Sequence, residues 1–243
     1  MRVVVFGATG GTGRAVIENA LSAGHAVTAF ARRADRIVPA DGLTVIQGDV
    51  MDSAQVAPAL DGQDAVVISL GNSQNPFALL FGARRTTPRD VCEVGTQNIL
   101  AALPKDRDIP IIVIGAFGTG DTARNLPVMF KLFYRLILRE QMADKERQYA
   151  LLKGSFARYT MIQPLALTDK PATGAWTASR DGRFGKSEVA RADLATFIVQ
   201  QLQEAGARVK PSRFLGSCAA ARCSGINLPG AGTRSRAASA CAG

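Results

Sequence analysis

The chain is 243 residues long, 47% hydrophobic and 20% charged, with a formal net charge of +9. This balance excludes a disordered or fibrous protein, and the length suffices for one α/β domain with a sizeable core. The charge does not indicate a specific nucleic-acid partner: residues after Glu204 hold six of the 29 bases and none of the 20 acids, no DNA-binding motif or aromatic interleaving accompanies them, and the first 204 residues are close to neutral.

Val3 to Phe6 is an unbroken apolar run that empties into Gly7, Gly10 and Gly13. A strand without polar alternation is one covered on both faces, as in a parallel sheet. Ala15, Val16, Ala20 and Leu21 then recur at helical spacing, from a helix start near Gly13 to a C-cap glycine at Gly24. Strand, glycine loop and helix in this order form a dinucleotide-binding unit. Gly7 allows the tight turn, Gly10 lets backbone approach a pyrophosphate, Gly13 lets helix and strand pack closely, and the helix N–H groups face the anion. His25 to Ala31 makes a second strand, with His25, the only histidine, expected as a surface turn residue away from the site. The strand runs into Arg32, Arg33 and Arg36, where an NAD site would offer an acid to the ribose 2′-hydroxyl. Guanidinium groups suit a 2′-phosphate, so the expected cofactor is NADP(H).

Leu43 to Gln47 is a third strand, which brings Asp49 of Gly48-Asp49-Val50 to the carboxyl edge of the sheet, near where an adenine would rest. Asp52 and Ser53 cap a helix that runs through Leu60. Ala65 to Ser69 is a fourth strand closing on Leu70-Gly71-Asn72, and the small Gly71 allows backbone contact with a cofactor. Asn72 to Arg89, rich in Pro, Asn and Thr, is a long loop at the edge where substrate is recognised. A helix from Asp90 to Leu103, a strand from Ile109 to Ile114, a helix ending at Leu151 to Ser155, a strand from Thr160 to Gln163 and an amphipathic helix from Arg191 to Glu204 follow. Together these elements predict an α/β protein with a doubly wound parallel sheet, a Rossmann fold, in one domain with small substrate-covering segments. Asp193 is expected to be a helix-end anion. Phe117 and Trp176 are candidates for the wall of a substrate site and Val128 to Tyr134 for a lid, with ordinary core packing as the alternative for each.

Leu126 to Leu138, the longest apolar region, is too short for a bilayer and is interrupted by Lys131 and Arg135. With no signal-peptide core at the N-terminus either, the expected location is cytoplasmic. Cys92 lies in the body and Cys218, Cys223 and Cys241 in the tail; without a C-x-x-C pair, neither a metal site nor a disulfide framework is expected. Residues 205–243, dominated by Ala, Gly, Ser, Arg and Cys, read as a basic tail and a replaced C-terminus. They are expected to be disordered because they can bury too little apolar surface to offset ordering entropy.

Five segments in order carry a resemblance: Phe6 to Gly13, Gly48 to Val50, Gly62 to Val67, Gly95 to Ile99 and Pro171 to Trp176. From Met1 to about Leu202 the chain resembles the atypical short-chain dehydrogenase/reductase group with its NmrA-like NAD(P)-binding proteins, and most closely the biliverdin reductase B and flavin reductase branch. The resemblance implies that Thr9, Gly10, Gly11 and Thr12 hold the pyrophosphate, and Arg32 with Arg36 the 2′-phosphate. Asp49 and Val50 would flank adenine, Leu70 and Gly71 the inner ribose and nicotinamide side, and Pro164 with Leu165 the carboxamide face. The chain departs from its relatives at two hydroxyls. Gly115 stands where they carry a serine, and Gln141 takes the tyrosine position of the Tyr-x-x-x-Lys pair, leaving Lys145 to hold a cofactor ribose. The absences favour a flavin, quinone or other conjugated small-molecule acceptor over a simple ketone. The alternative is a sensor that binds dinucleotide and acts through a protein partner without turnover.

Overall fold

In a computed structural model of the chain, the structure describes residues 1–72, 74, 76–80, 82–179 and 188–207. Six strands form one wholly parallel sheet: β1 Arg2–Phe6, β2 Ala26–Ala31, β3 Leu43–Gln47, β4 Ala65–Ile68, β5 Ile111–Ile114 and β6 Tyr159–Ile162. Their spatial order is β3-β2-β1-β4-β5-β6, the doubly wound arrangement expected from sequence. Direction of winding reverses between β1 and β4, and the crevice beyond their carboxyl ends is where such sheets take ligands.

Both faces are covered, as the unalternating strands require. Val3, Val5, Val27 and Val67 pack with Val16 and Ile17 of α1 Gly11–Ser22 and Leu194 and Ile198 of α7 Arg191–Ala207. Val4, Phe6, Val66 and Ile68 pack on the opposite face against Val56 of α2 Ser53–Leu60, Ile99 of α4 Val91–Ala102 and Leu152 of α6 Arg139–Lys153. Asp52 caps α2 as expected, its side chain accepting from Ala54 N.

Several boundaries differ from the sequence reading. Helix α1 starts at Gly11 rather than Gly13, because Gly10 already carries the extended N-cap conformation. The fifth strand begins at Ile111. The long loop after β4 contains a short helix, α3 Pro76–Leu80, and Val128–Leu136 forms α5. A second, two-stranded parallel sheet, β7 Ala166–Thr168 with β8 Glu188–Ala190, was not anticipated, since three-residue strands have no period to read. Helix α7 continues through Ala207, so residues 205–207, expected to begin a disordered tail, are helical. The rest of that tail, 208–243, lies outside the described residues. His25 is also a correction: it is only 9% exposed, with Nδ1 3.5 Å from the N-terminal nitrogen and Nε2 unpaired. Burial, then the N-terminal ammonium, push its pKa below the usual 6.5.

Candidate functional site

The loop from Gly7 to Gly13 lies at the reversal point, and its glycines are required by contact. Gly7 has φ +83°, and a Cβ there would stand 2.3 Å from Ser69 O at the exit of β4. A Cβ on Gly13 would stand 2.3 Å from Gly7 O, so only glycine lets α1 settle this close to the loop. The N-cap Gly10 offers no side-chain bond and no acid occupies the first turn of α1. The helix start therefore keeps its positive end available to an anion. Thr9 and Gly10 are half-buried, Gly11 is exposed, and Thr12 is buried.

Beyond β2, Arg32 and Arg36 are both exposed. Arg32 already donates to Thr86 O at 3.1 Å and reaches Thr87 Oγ1 at 3.4 Å, tying the end of β2 to the loop after β4. Beyond β3, Asp49 Oδ1 accepts from Met51 N at 3.0 Å, while Gln55 Oε1 accepts from Asp49 N at 2.9 Å. Val50 is buried beside Leu70. A Cβ on Gly95 would meet Leu70 Cδ1 at 2.7 Å and Val50 Cγ2 at 2.8 Å, which explains the glycine of the 95–99 segment: α4 has to approach both residues. Asn98 Nδ2 donates to Val50 O at 2.9 Å. At Gly71 a Cβ would meet nothing within 4 Å, so the crevice beyond β4 is open.

Helix α6 holds the far side of the crevice together. Asp144, 4% exposed, accepts from Cys92 N at 2.9 Å and Glu93 N at 3.0 Å and thereby caps α4. Lys145 Nζ donates to Leu70 O at 2.8 Å, Ile114 O at 2.7 Å and Gln148 Oε1 at 3.0 Å. An ammonium has three donors. All three go to protein here, so Lys145 ties the ends of β4 and β5 directly beneath the crevice where a ribose was expected. The Cys92 thiol is pushed up to about 12 by burial, which makes it inert.

Of the two substrate-wall candidates, Phe117 is displaced into core. It is 1% exposed and packs with Leu126 and Tyr134. Trp176 is half-buried in the segment 171–176, which Asp193 anchors by accepting from Thr173 N at 3.1 and 3.0 Å, Thr173 Oγ1 at 2.9 Å and Gly174 N at 3.0 Å. Pro164 and Leu165 are half-buried beyond β6. Pro164 O accepts from Phe117 N at 3.0 Å, and Tyr134 OH donates to Leu165 O at 3.4 Å. Helix α5 keeps its place at this edge but turns Val128, Met129, Leu132 and Leu136 outward.

Gly115 lies at the end of β5, close against β6. A Cβ there would lie 3.1 Å from Met161 Sδ. Burial raises the pKa of Tyr134, Tyr149 and Tyr159 alike, and His25 sits at the opposite, amino end of β2. One residue that the sequence did not single out belongs here. Arg191 reaches over the glycine loop, its Cδ and Nε 2.9 and 3.0 Å from where a Gly11 Cβ would be, and donates through Nη1 to Asp169 Oδ1 at 2.6 Å. The signal for it was the extra glycine at position 11.

The arrangement agrees with comparisons to known proteins. A family model described as NAD(P)H-binding matches residues 7–205. Reductase PytE of Aspergillus terreus is 26% identical over 204 residues, covering 69% of this chain and 76% of that protein. The anaerobilin reductase ChuY of Escherichia coli O157:H7 superposes with a TM-score of 0.67 at 23% identity, over 90% of this chain and 97% of that one. A candidate NADH-flavin reductase of Streptococcus pneumoniae does so with 0.66 at 18% identity, over 91% and 99%. These two structural likenesses establish the shared fold.

Proposed function

Since this chain belongs to the NAD(P)H-binding family, we propose that it is an NADPH-dependent reductase of a flavin, quinone or other conjugated small-molecule acceptor, working in the cytoplasm. The observation that carries the acceptor class is the far side of the crevice. Gly115 presents no hydroxyl, Gln141 replaces tyrosine, and Lys145 spends its three donors on Leu70 O, Ile114 O and Gln148 Oε1. No side chain among these is placed to give or take a proton. When bound, the reduced nicotinamide supplies a hydride, and a conjugated acceptor can draw its proton from solvent.

The chain's own part is binding and orientation. The Gly7–Gly13 loop and the start of α1 take the pyrophosphate, Thr9 to Thr12 lining it. Arg32 and Arg36 take the 2′-phosphate, and Asp49 and Val50 border the adenine. Leu70, Gly71, Pro164 and Leu165 shape the nicotinamide end, with Trp176 as a wall for the acceptor. PytE and ChuY, named as reductases, and the flavin reductase candidate support the class of reaction.

The test is oxidation of NADPH by the purified protein with flavin mononucleotide, a naphthoquinone and a simple ketone, each at saturating cofactor. Turnover with the first two and not the ketone is expected. Turnover with the ketone alone refutes the acceptor class. The same absent hydroxyls favour a second reading, a sensor that binds dinucleotide and acts through a protein partner; tight NADP(H) binding with no oxidation across the panel is its signature. For the cofactor, replacing Arg32 and Arg36 together by alanine should remove the preference for NADP(H) over NAD(H), and an unchanged preference refutes the 2′-phosphate assignment.

A further inference from the structure

The glycine loop and helix α1 supply about half an elementary charge, whereas a dinucleotide diphosphate carries two negative charges. No acid or capping side chain at the start of α1 competes for that site, and Arg14, the one cation of the helix, is exposed. Arg191 comes from elsewhere. Strands β7 and β8 pair in parallel with Thr168 opposite Ala190, so Asp169 and Arg191 follow at the same register just beyond the paired strands. Arg191 then begins α7, which packs beside α1, and its side chain lies across Gly11, with Cζ 3.6 Å from the Cβ position. Any side chain at position 11 would displace it. The arginine is 28% exposed while its partner Asp169 is 87% exposed, so the guanidinium is partly sheltered against the loop and the carboxylate stands in water.

We propose that Arg191 is the charged ligand of the dinucleotide diphosphate, held over Gly11 by Asp169 until the cofactor binds. This deepens the dinucleotide reading above and rests on it. An exposed carboxylate is a weak partner, whereas a diphosphate at a helix start offers a guanidinium a charge-assisted, bidentate contact. Arg191 can therefore exchange one for the other at little cost. Glycine at position 11 is then explained twice, by close approach of the diphosphate and by the passage of the arginine. The small β7–β8 sheet becomes the device that sets the arginine at the loop.

Calorimetric titration tests this with NADP+ and with adenosine 2′-monophosphate, which keeps the adenine and 2′-phosphate and lacks the diphosphate. Arg191→Gln should weaken NADP+ binding by about ten- to thirty-fold, the effect of losing one hydrogen-bonded charge, and leave the monophosphate within two-fold. Arg191→Lys should fall between. Asp169→Asn, by releasing the arginine, should tighten NADP+ by up to about five-fold. An Arg191→Gln protein that binds NADP+ within two-fold of the unaltered protein overturns the proposal, as does one that loses both ligands equally. Failure of the unaltered protein to bind either NADP+ or NAD+ is a different result: it overturns the cofactor reading itself, and this inference with it.

Discussion

Asp193 is where a single atom-level change should be read out by a single spectroscopic probe. Its carboxylate, 3% exposed, accepts from three donors in the segment that leads to Trp176, the only tryptophan of the chain. Asp193→Ala removes all of these bonds. Thr173 and Gly174 are exposed, so their donors regain water and the loss is the net value of each bond, about 1 to 1.5 kcal/mol. Three donors give about 3 to 4 kcal/mol, and the missing first-turn acid of α7 adds about 0.5 kcal/mol. Against this, two or three released residues each recover about 1 kcal/mol of backbone entropy. The global cost is then about 1 to 2 kcal/mol, a fall in melting temperature of about 2 to 8 °C.

The local effect should be larger than the global one. Freed from its anchor, Trp176 should show red-shifted emission and stronger quenching by acrylamide, with Asp193→Asn intermediate because it keeps one acceptor oxygen. If Asp193→Ala lowers the melting temperature by this amount and leaves both tryptophan signals unchanged, Asp193 acts only as a helix-end anion, the role its position in the sequence suggests, and does not hold Trp176 in place.

Three further outcomes follow from the same contacts. Phe117→Ala should cost about 3 to 5 kcal/mol in urea denaturation, as for a buried aromatic; near-native stability with an altered KM for the acceptor would return Phe117 to the substrate wall. Gly13→Ala forces a methyl to within 2.3 Å of Gly7 O, and should cost about 3 kcal/mol and abolish dinucleotide binding. Gly24→Ala, at φ +78° with nothing within 4 Å, should cost only about 1 to 2 kcal/mol of left-handed strain and leave binding intact, measured by denaturation and calorimetry on both variants. His25 titrates below its ordinary 6.5 in the folded protein, so the unfolded chain binds the proton first on acidification. Stability should be fully present above pH 6.5 and decline as pH falls below it. Denaturation of His25→Asn between pH 7 and 5 should lack this component, and parallel curves for the two proteins would show that the histidine is not linked to folding.

The fold was legible because its signals are periodic and its punctuation is glycine. The unalternating run from Val3 to Phe6 reads as a strand covered on both faces, Gly7 and Gly13 mark a turn and a close approach that the contacts then demand, and Gly24 marks a helix end by its φ of +78°. What escaped was of two kinds. Strands β7 and β8 are three residues each, too short for any period, so the pairing that delivers Arg191 had no local signature. The roles of Phe117, His25 and Lys145 depend on what lies across the fold from them. Phe117 packs with Leu126 and Tyr134 and His25 lies beside the N-terminal nitrogen of Met1, and none of these partners is within a few residues of the residue it meets. Motif position names a residue that can reach the site, but the partners it meets decide whether it remains available.

Lys145 shows how this bears on chemistry. The lysine stands in the motif position from which its relatives' counterpart is read as a ribose ligand, but here it clamps Leu70 O to Ile114 O, the exits of two adjacent strands. Next to it, Asp144 caps α4, and Gln148 Nε2 donates to Thr96 Oγ1 at 2.7 Å. One turn of α6 thus fixes β4, β5 and α4 relative to each other, directly beneath Leu70 and Gly71. Rigidity at that corner orients whatever binds above it, and orientation alone can lower a barrier when the transferred group and its acceptor need only be stacked. A carbonyl substrate would ask more of the same corner, namely a donor aimed at its developing oxyanion, whereas Gly115 carries no side-chain donor and Lys145 is already bonded to Leu70 O, Ile114 O and Gln148 Oε1. The proposed acceptor class therefore rests less on the shape of the crevice than on how fully Asp144, Lys145 and Gln148 of α6 are engaged in holding the sheet.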